Sequence, residues 1–447
     1  MNAYAKEYAQ KHVSAEQAVK VVKSGDWLDY GLAIAMPNAL DQALAARASE
    51  LEDVMIRNVL SMHPPAVMAA NQKENRAVFT YNSWYYGGHD RTSAKGGSTY
   101  HIPMRFSDLP MLYQNDIENI DVALLIVTPM DKFGYFNFGP SAASAMAVCR
   151  KAKTVIVEVN PNLPRSLGKY DECIHISEVD FIVEDDAPIP TMVTKPPNET
   201  DRKIAELIME EIPQQACLQL GIGSMPNAVG MLLAESDLKD LGIHTEMYVD
   251  SMMELTNRGK ISGRCKKTDP GKQVYAFAAG STELYEFIDD NPQLMTAPVD
   301  YVNDPFIIAQ NDRFISINNA VEVDLLGQVN AESMTGRQIS GTGGQLDFVL
   351  GASHAREGKS FICLSSTFTD KAGQVHSRIV PAIQTGSIVT DPRTAVHWVV
   401  TEFGKVNLRG KSTWERAEAL ISISHPDFRD ALTRDAENYG IWLKKNR

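Results

Sequence analysis

From Ser14 onward, apolar positions change repeatedly from a three-to-four spacing to short continuous or alternating runs. The first spacing is that of a helix with one buried face, and the second that of a strand. The pattern predicts helices over 15–23 and 37–51 and strands over 26–34, 54–59, 122–127 and 154–159. The runs at 122–127 and 154–159 close on turn signals, Thr128-Pro129 followed by Gly134, and Asn160-Pro161-Asn162. Short apolar strands alternating with longer helices predict βαβ units around a parallel or mixed sheet.

Periodicity then lapses. Between Glu184 and Thr200 the chain carries Pro188, Pro190, Pro196 and Pro197, a run that neither helix nor central strand accommodates. Beyond it the alternation resumes, with helices over 201–212, 226–239 and 247–258 and strands over 216–220 and 243–246. The prediction is therefore an α/β protein of two similar open-sheet domains, 1–195 and 196–447. Two domains also suit a length of 447 residues, which exceeds what one core commonly serves.

Composition narrows the function classes. Hydrophobic residues make up 44% and charged residues 22%, an ordinary globular balance. The net charge of −13 argues against nucleic acid and anionic membrane surfaces as partners. Any anionic ligand must then be held by local dipoles and a few basic groups. Five dispersed cysteines, with no Cys/His grouping at metal-ligand spacing, predict free thiols, a reducing compartment and no metal. The first 20 residues read as an amphipathic helix without the apolar segment of a secretion signal, and the longest apolar run is far below a membrane span. The expectation is a soluble, cytoplasmic protein.

Three segments could carry chemistry. Gln219-Leu220-Gly221-Ile222-Gly223-Ser224-Met225-Pro226 runs from strand to helix through a Gly-x-Gly turn. Its free N–H groups could hold a phosphate or an oxyanion, or it is only a tight turn. Gly242-Ile243-His244-Thr245-Glu246-Met247 puts a carboxylate at the predicted end of a strand, where open α/β sheets bind ligands. Glu246 there is a base, a nucleophile or merely a helix cap. Ser340-Gly341-Thr342-Gly343-Gly344-Gln345-Leu346-Asp347 is a loop whose backbone can lie flat against an extended ligand. Alternatively it is a glycine turn with Asp347 capping the next helix. No GxSxG elbow, GxxxxGK[ST] loop or HExxH is present, which counts against serine hydrolase, P-loop and zinc hydrolase chemistry.

Together these segments, in this order, resemble the acetyl-CoA hydrolase/transferase branch of the family I CoA-transferases. Within it the likeness is to the butyryl-CoA:acetate and 4-hydroxybutyrate groups. Further matches are the segments 121–135, 157–160, 317–324, 399–404 and 424–429, so the resemblance spans nearly the whole chain. It implies two α/β domains with the active site in the cleft between them, and Glu246 as the nucleophile. It further implies coenzyme A or oxyanion contacts at Gln219, Gly221, Ile222, Gly223, Ser224 and Met225. Contacts at Gly341, Gly343, Gly344 and Gln345, a backbone contact at Val321 and an assisting Asn303 follow from it too. One departure is Pro129-Met130-Asp131, where some branches read Pro-Pro-Asp.

The implied activity moves coenzyme A from a short-chain acyl-CoA, butyryl-CoA foremost, to a free carboxylate such as acetate. It would be ping-pong, through a glutamyl anhydride and a glutamyl-CoA thioester. The coenzyme A thioester is then substrate, with no tightly bound cofactor, and a homodimer or dimer of dimers is implied. A 4-hydroxybutyrate transferase or an acetyl-CoA hydrolase would use the same residues, and a nonenzymatic sensor would not require Glu246.

Overall fold

A computed structural model describes residues 4–192, 195–334 and 336–443. The chain forms two compact units. One comprises Met1–Val193 with Val274–Val302, the other Thr194–Gln273 with Asn303–Arg447. Residues 274–302 thus fall with the N-terminal unit, beyond a single boundary near residue 195.

In the first unit a seven-stranded sheet has the order Thr99–His101, Phe79–Ser83, Val54–Val59, Trp27–Leu32, Ile120–Val127, Ala152–Val159, Phe181–Glu184. Every adjacent pair is parallel. Such sheets are covered on both faces, which explains why residues 122–127 and 155–157 are apolar without alternation. The amphipathic N-terminal stretch is two helices, Ala5–Lys11 and Ala15–Ala18; residues 1–3 lie outside the described residues. They separate at Ser14, whose side chain accepts Gln17 N–H and starts the second helix in a capping box.

Buried carboxyls in this unit include Glu158, Asp29 and Asp41. Glu158 accepts the Asn38 and Leu40 amides at 2.8 and 2.9 Å, at the start of helix Ala39–Ala45. Asp29 accepts the Tyr113 hydroxyl at 2.5 Å and Gly31 N–H at 3.0 Å, and Asp41 the Tyr30 hydroxyl at 3.0 Å. Burial pushes Asp29 and Asp41 up to about 6 and Glu158 up to about 7, against the hydrogen bonds that favour their anions.

In the second unit the strands pair in the order Gly242–Tyr248, Cys217–Leu220, Phe314–Asn319, Lys359–Cys363, Trp398–Thr401, Gly404–Asn407. The pairs are parallel up to the last, an antiparallel hairpin. From Cys217–Leu220 the chain moves first to one side, to Gly242–Tyr248, and later to the other, to Phe314–Asn319. The sheet therefore changes winding direction at Cys217–Leu220. Crevices beyond the carboxyl ends of strands at such a switch are where open α/β sheets take ligands. The Gly221–Ser224 turn stands at that place. The core of this unit includes Val323, Val349, Ile362, Val399, Leu408 and Leu420. Among the described residues no helix is long and apolar enough to cross a membrane.

Candidate active site

Strand Cys217–Leu220 ends in the Gly-x-Gly turn, and helix Ser224–Glu235 begins at Ser224 with Gly223 as its N-cap. The helix predicted to open at Pro226 starts two residues earlier. Both glycines are required by their surroundings. A Cβ at Gly221 would lie 3.0 Å from Ile317 O and 3.2 Å from Asn318 Oδ1. Gly223 has φ +125°, a conformation L side chains rarely adopt, and its Cβ would lie 2.9 Å from Asn319 Nδ2. The neighbouring strand end braces the turn: Gly221 N–H donates to Ile317 O at 2.9 Å and Asn319 Nδ2 to Ile222 O at 3.0 Å.

Two residues assigned to ligand contacts in this segment use their side chains internally. Gln219 is 4% exposed; its amide donates to Asn318 Oδ1 at 3.0 Å and accepts from Ser316 Oγ at 2.8 Å. Met225 is 4% exposed and lies in the core. Only their backbones could face a ligand. Ile222, in contrast, is exposed, and Ser224 is intermediate.

Glu246 is not at a strand end. The strand continues to Tyr248, because Met247 and Tyr248 are both buried and prolong it, and the next helix is Asp250–Asn257 with Val249 as its N-cap. The helix-cap reading of Glu246 therefore falls. The parallel register pairs Leu218 with Ile243; carried three residues on, it sets Gly221 level with Glu246.

Asn303 and Gly344 meet Glu246 directly. Asp304 caps helix Pro305–Ile308 by accepting Phe306 N–H at 2.8 Å. Ile308 packs so closely on helix Gln345–His354 that a Cβ at Gly351 would lie 2.5 Å from Ile308 Cγ2. That packing delivers the preceding Asn303 to the N-terminal end of the longer helix, whose N-cap is Gly344. Asn303 Nδ2 donates to Glu246 Oε2 at 2.6 Å, and its Oδ1 is buried without a partner among the described residues. A Cβ on Gly344 would overlap both Glu246 Oε2 and Asn303 Nδ2.

These contacts set the carboxyl's acidity. Burial pushes Glu246 up to about 7; the Asn303 amide and the Gly344 N–H favour the anion, and the nearby Asp347 carboxylate opposes it. Asp347 is fully buried in the first turn of helix Gln345–His354, so it does not cap that helix, whose N-cap is Gly344. The result is a carboxylate held by the Asn303 amide beside the Gly344 backbone and only partly open to water. A perturbed acid of this kind at a sheet's ligand-binding edge is a candidate reactive group.

The other assigned positions divide. Gly341 and Gly343 are buried in the loop before Gly344, Gly343 with φ +52°. Gln345 uses its amide on Asp391 Oδ2 at 2.7 Å. Val321 has both backbone groups engaged, its N–H on Asn330 O and its carbonyl accepting from Arg378, each at 2.8 Å. Asn318 and Asn319 carry roles that the sequence reading did not single out; the signal available was their place just after the largely apolar residues 314–317.

Comparison with known proteins identifies the family. The acetyl-CoA hydrolase/transferase N-terminal domain matches residues 1–194 and the corresponding C-terminal domain residues 280–436. A butyryl-CoA:acetate CoA-transferase of Anaerostipes caccae is 53% identical over 99% of this chain and 100% of its own length. A 4-hydroxybutyrate coenzyme A transferase of Clostridium kluyveri is 39% identical over 96% and 97%. The crystal structure of RipA from Yersinia pestis superimposes with a TM-score of 0.90 at 38% identity, over 97% of this chain and 98% of that one. A strand carboxylate between an asparagine and a glycine backbone thus sits in a chain that belongs to the acetyl-CoA hydrolase/transferase family, among its CoA-transferases.

Proposed function

We propose that the protein transfers coenzyme A from butyryl-CoA or a similar short-chain acyl-CoA to acetate, with Glu246 as covalent nucleophile. The observation that carries this reading is the Glu246 carboxylate, bonded to Asn303 Nδ2 at 2.6 Å and touching Gly344. A carboxylate in water is a weak nucleophile because hydration stabilises its charge; fixed donors that replace the water hold it in place without quenching it as fully. The names of the relatives support the acid pair, since the Anaerostipes caccae protein is a butyryl-CoA:acetate CoA-transferase.

In the first half-reaction a Glu246 oxygen bonds to the acyl carbonyl carbon and the C–S bond breaks, giving an acyl-glutamyl anhydride and coenzyme A thiolate. The thiolate attacks the glutamyl carbonyl and the acyl carboxylate leaves, so that Glu246 becomes a glutamyl-CoA thioester. Acetate then attacks that carbonyl and releases the thiolate, which attacks the acetyl carbonyl to form acetyl-CoA and free Glu246. No net proton is taken up. Each attack places negative charge on a carbonyl oxygen, which the N–H groups of Ile222, Gly223 and Ser224 in the turn, and of Gly344, are suited to receive.

Two measurements test this together. Incubation with butyryl-CoA followed by borohydride should inactivate the enzyme and alter the mass of the peptide bearing Glu246. Thioester consumption should depend on added acetate. Full-rate consumption without any acid would make the protein a hydrolase, and modification at another residue would remove Glu246 from the mechanism.

A further inference from the structure

Behind the glycine loop lies a buried carboxyl that the transfer reaction does not touch. Glu332 is 2% exposed. Its Oε1 accepts the hydroxyls of Thr342 at 3.1 Å and Thr390 at 3.0 Å, and its Oε2 accepts Gln338 Nε2 at 3.0 Å. Its backbone carbonyl accepts Ile339 N–H at 2.8 Å and Ser340 N–H at 3.3 Å. One residue therefore gathers positions 338, 339, 340, 342 and 390. A second buried carboxyl, Asp391, receives Gln345 Nε2 at 2.7 Å, so the loop is held on both sides of its glycines.

The chemistry of the bonds requires an acceptor on both oxygens. A carboxylate supplies that and an amide does not. Gln338 cannot turn its amide to suit a substituted partner, because the same Nε2 also donates to Ser340 O at 3.0 Å. Thr342 lies two residues before Gly344, and Thr342 O accepts Gln345 N–H at 3.2 Å. Fixing the Thr342 side chain thus fixes the turn that presents the Gly344 amide.

We propose that Glu332 is a positioning residue for coenzyme A transfer: through Thr342 it holds the 341–344 loop so that the Gly344 N–H stays on the Glu246 carboxylate. This rests on the reading of Glu246 as the nucleophile. Loosening the loop withdraws a donor from the anion, so Glu246 needs a higher pH to ionise and stabilises its transition states less well.

The test uses Glu332→Gln, Thr342→Val and Thr342→Ser in the full-length enzyme, each with a pH profile of kcat/KM, KM for butyryl-CoA and thermal stability. Glu332→Gln and Thr342→Val should lower kcat/KM at pH 7 on the order of tenfold, a fraction of what outright loss of an oxyanion donor brings. The acid limb should move to higher pH, because kcat/KM reports ionisation in the free enzyme, while KM changes little. Thr342→Ser, which retains the hydroxyl, should keep the wild-type limb. An unmoved limb in the valine variant, with any loss following thermal stability alone, overturns the positioning role. Borohydride trapping separates the two claims. Trapping at Glu246 with an unmoved limb removes only the role of Glu332, whereas absent trapping at Glu246 in the wild type removes the nucleophile and the positioning role with it.

Discussion

Glu246→Gln should leave a folded enzyme that binds butyryl-CoA and does not turn it over. The amide is nearly the same size as the carboxyl, and its oxygen can still accept from Asn303 Nδ2, which lies 2.6 Å from Oε2. What is lost is the anion that would form the anhydride. Removing a covalent nucleophile leaves only binding and oxyanion stabilisation, so kcat should fall by roughly 10³-fold or more. Steady-state turnover together with calorimetric binding of butyryl-CoA would read this. Turnover within tenfold of the wild type would end the nucleophile assignment. The wild-type profile should follow the same group: activity rises with pH through about 7, where the buried carboxyl ionises.

Gly344→Ala should be nearly as damaging for a different reason. Gly344 has φ −95° and ψ 9°, a bridge-region conformation open to alanine as well as glycine, so the backbone need not change. The methyl group would instead overlap Glu246 Oε2 and Asn303 Nδ2 and drive the two apart. We expect kcat/KM to fall by about 10²–10³-fold with a change in unfolding free energy within about 1 kcal/mol. Activity close to wild type would mean that the Glu246–Asn303–Gly344 contact is not the working arrangement. Gly223, at φ +125°, would mix backbone strain into the same experiment and is the poorer probe.

Much of this site was legible in the sequence because its signals are local. A strand ending at Gly221-Ile222-Gly223, a carboxylate in the next strand and three glycines within four residues each announce themselves within a dozen positions. The parallel sheets were legible for the same reason, since residues 122–127 and 155–157 are apolar without a break. What escaped depends on distant partners. That Gln219 turns inward follows from Ser316 and Asn318, some hundred positions away. Glu332 acquires meaning only beside Thr390. Residues 274–302 join the first compact unit through contacts that no periodicity encodes. Local boundaries moved where packing outweighed turn chemistry: Met247 and Tyr248 extend the strand past Glu246 because both are buried.

The interior carboxyls have a consequence for the whole molecule. Asp29, Asp41, Glu158 and Asp391 all hold their protons to pH values near 6 or 7, whereas an extended chain would give them up near pH 4. Between those values the folded molecule carries more bound protons than the unfolded one, and linkage then ties its stability to the solution. The advantage these groups confer is complete in acid below their unfolded values and fades as pH climbs through 6 and 7. Melting the protein at pH 6 in a weak buffer should therefore acidify the medium, as a reservoir empties when its walls come down.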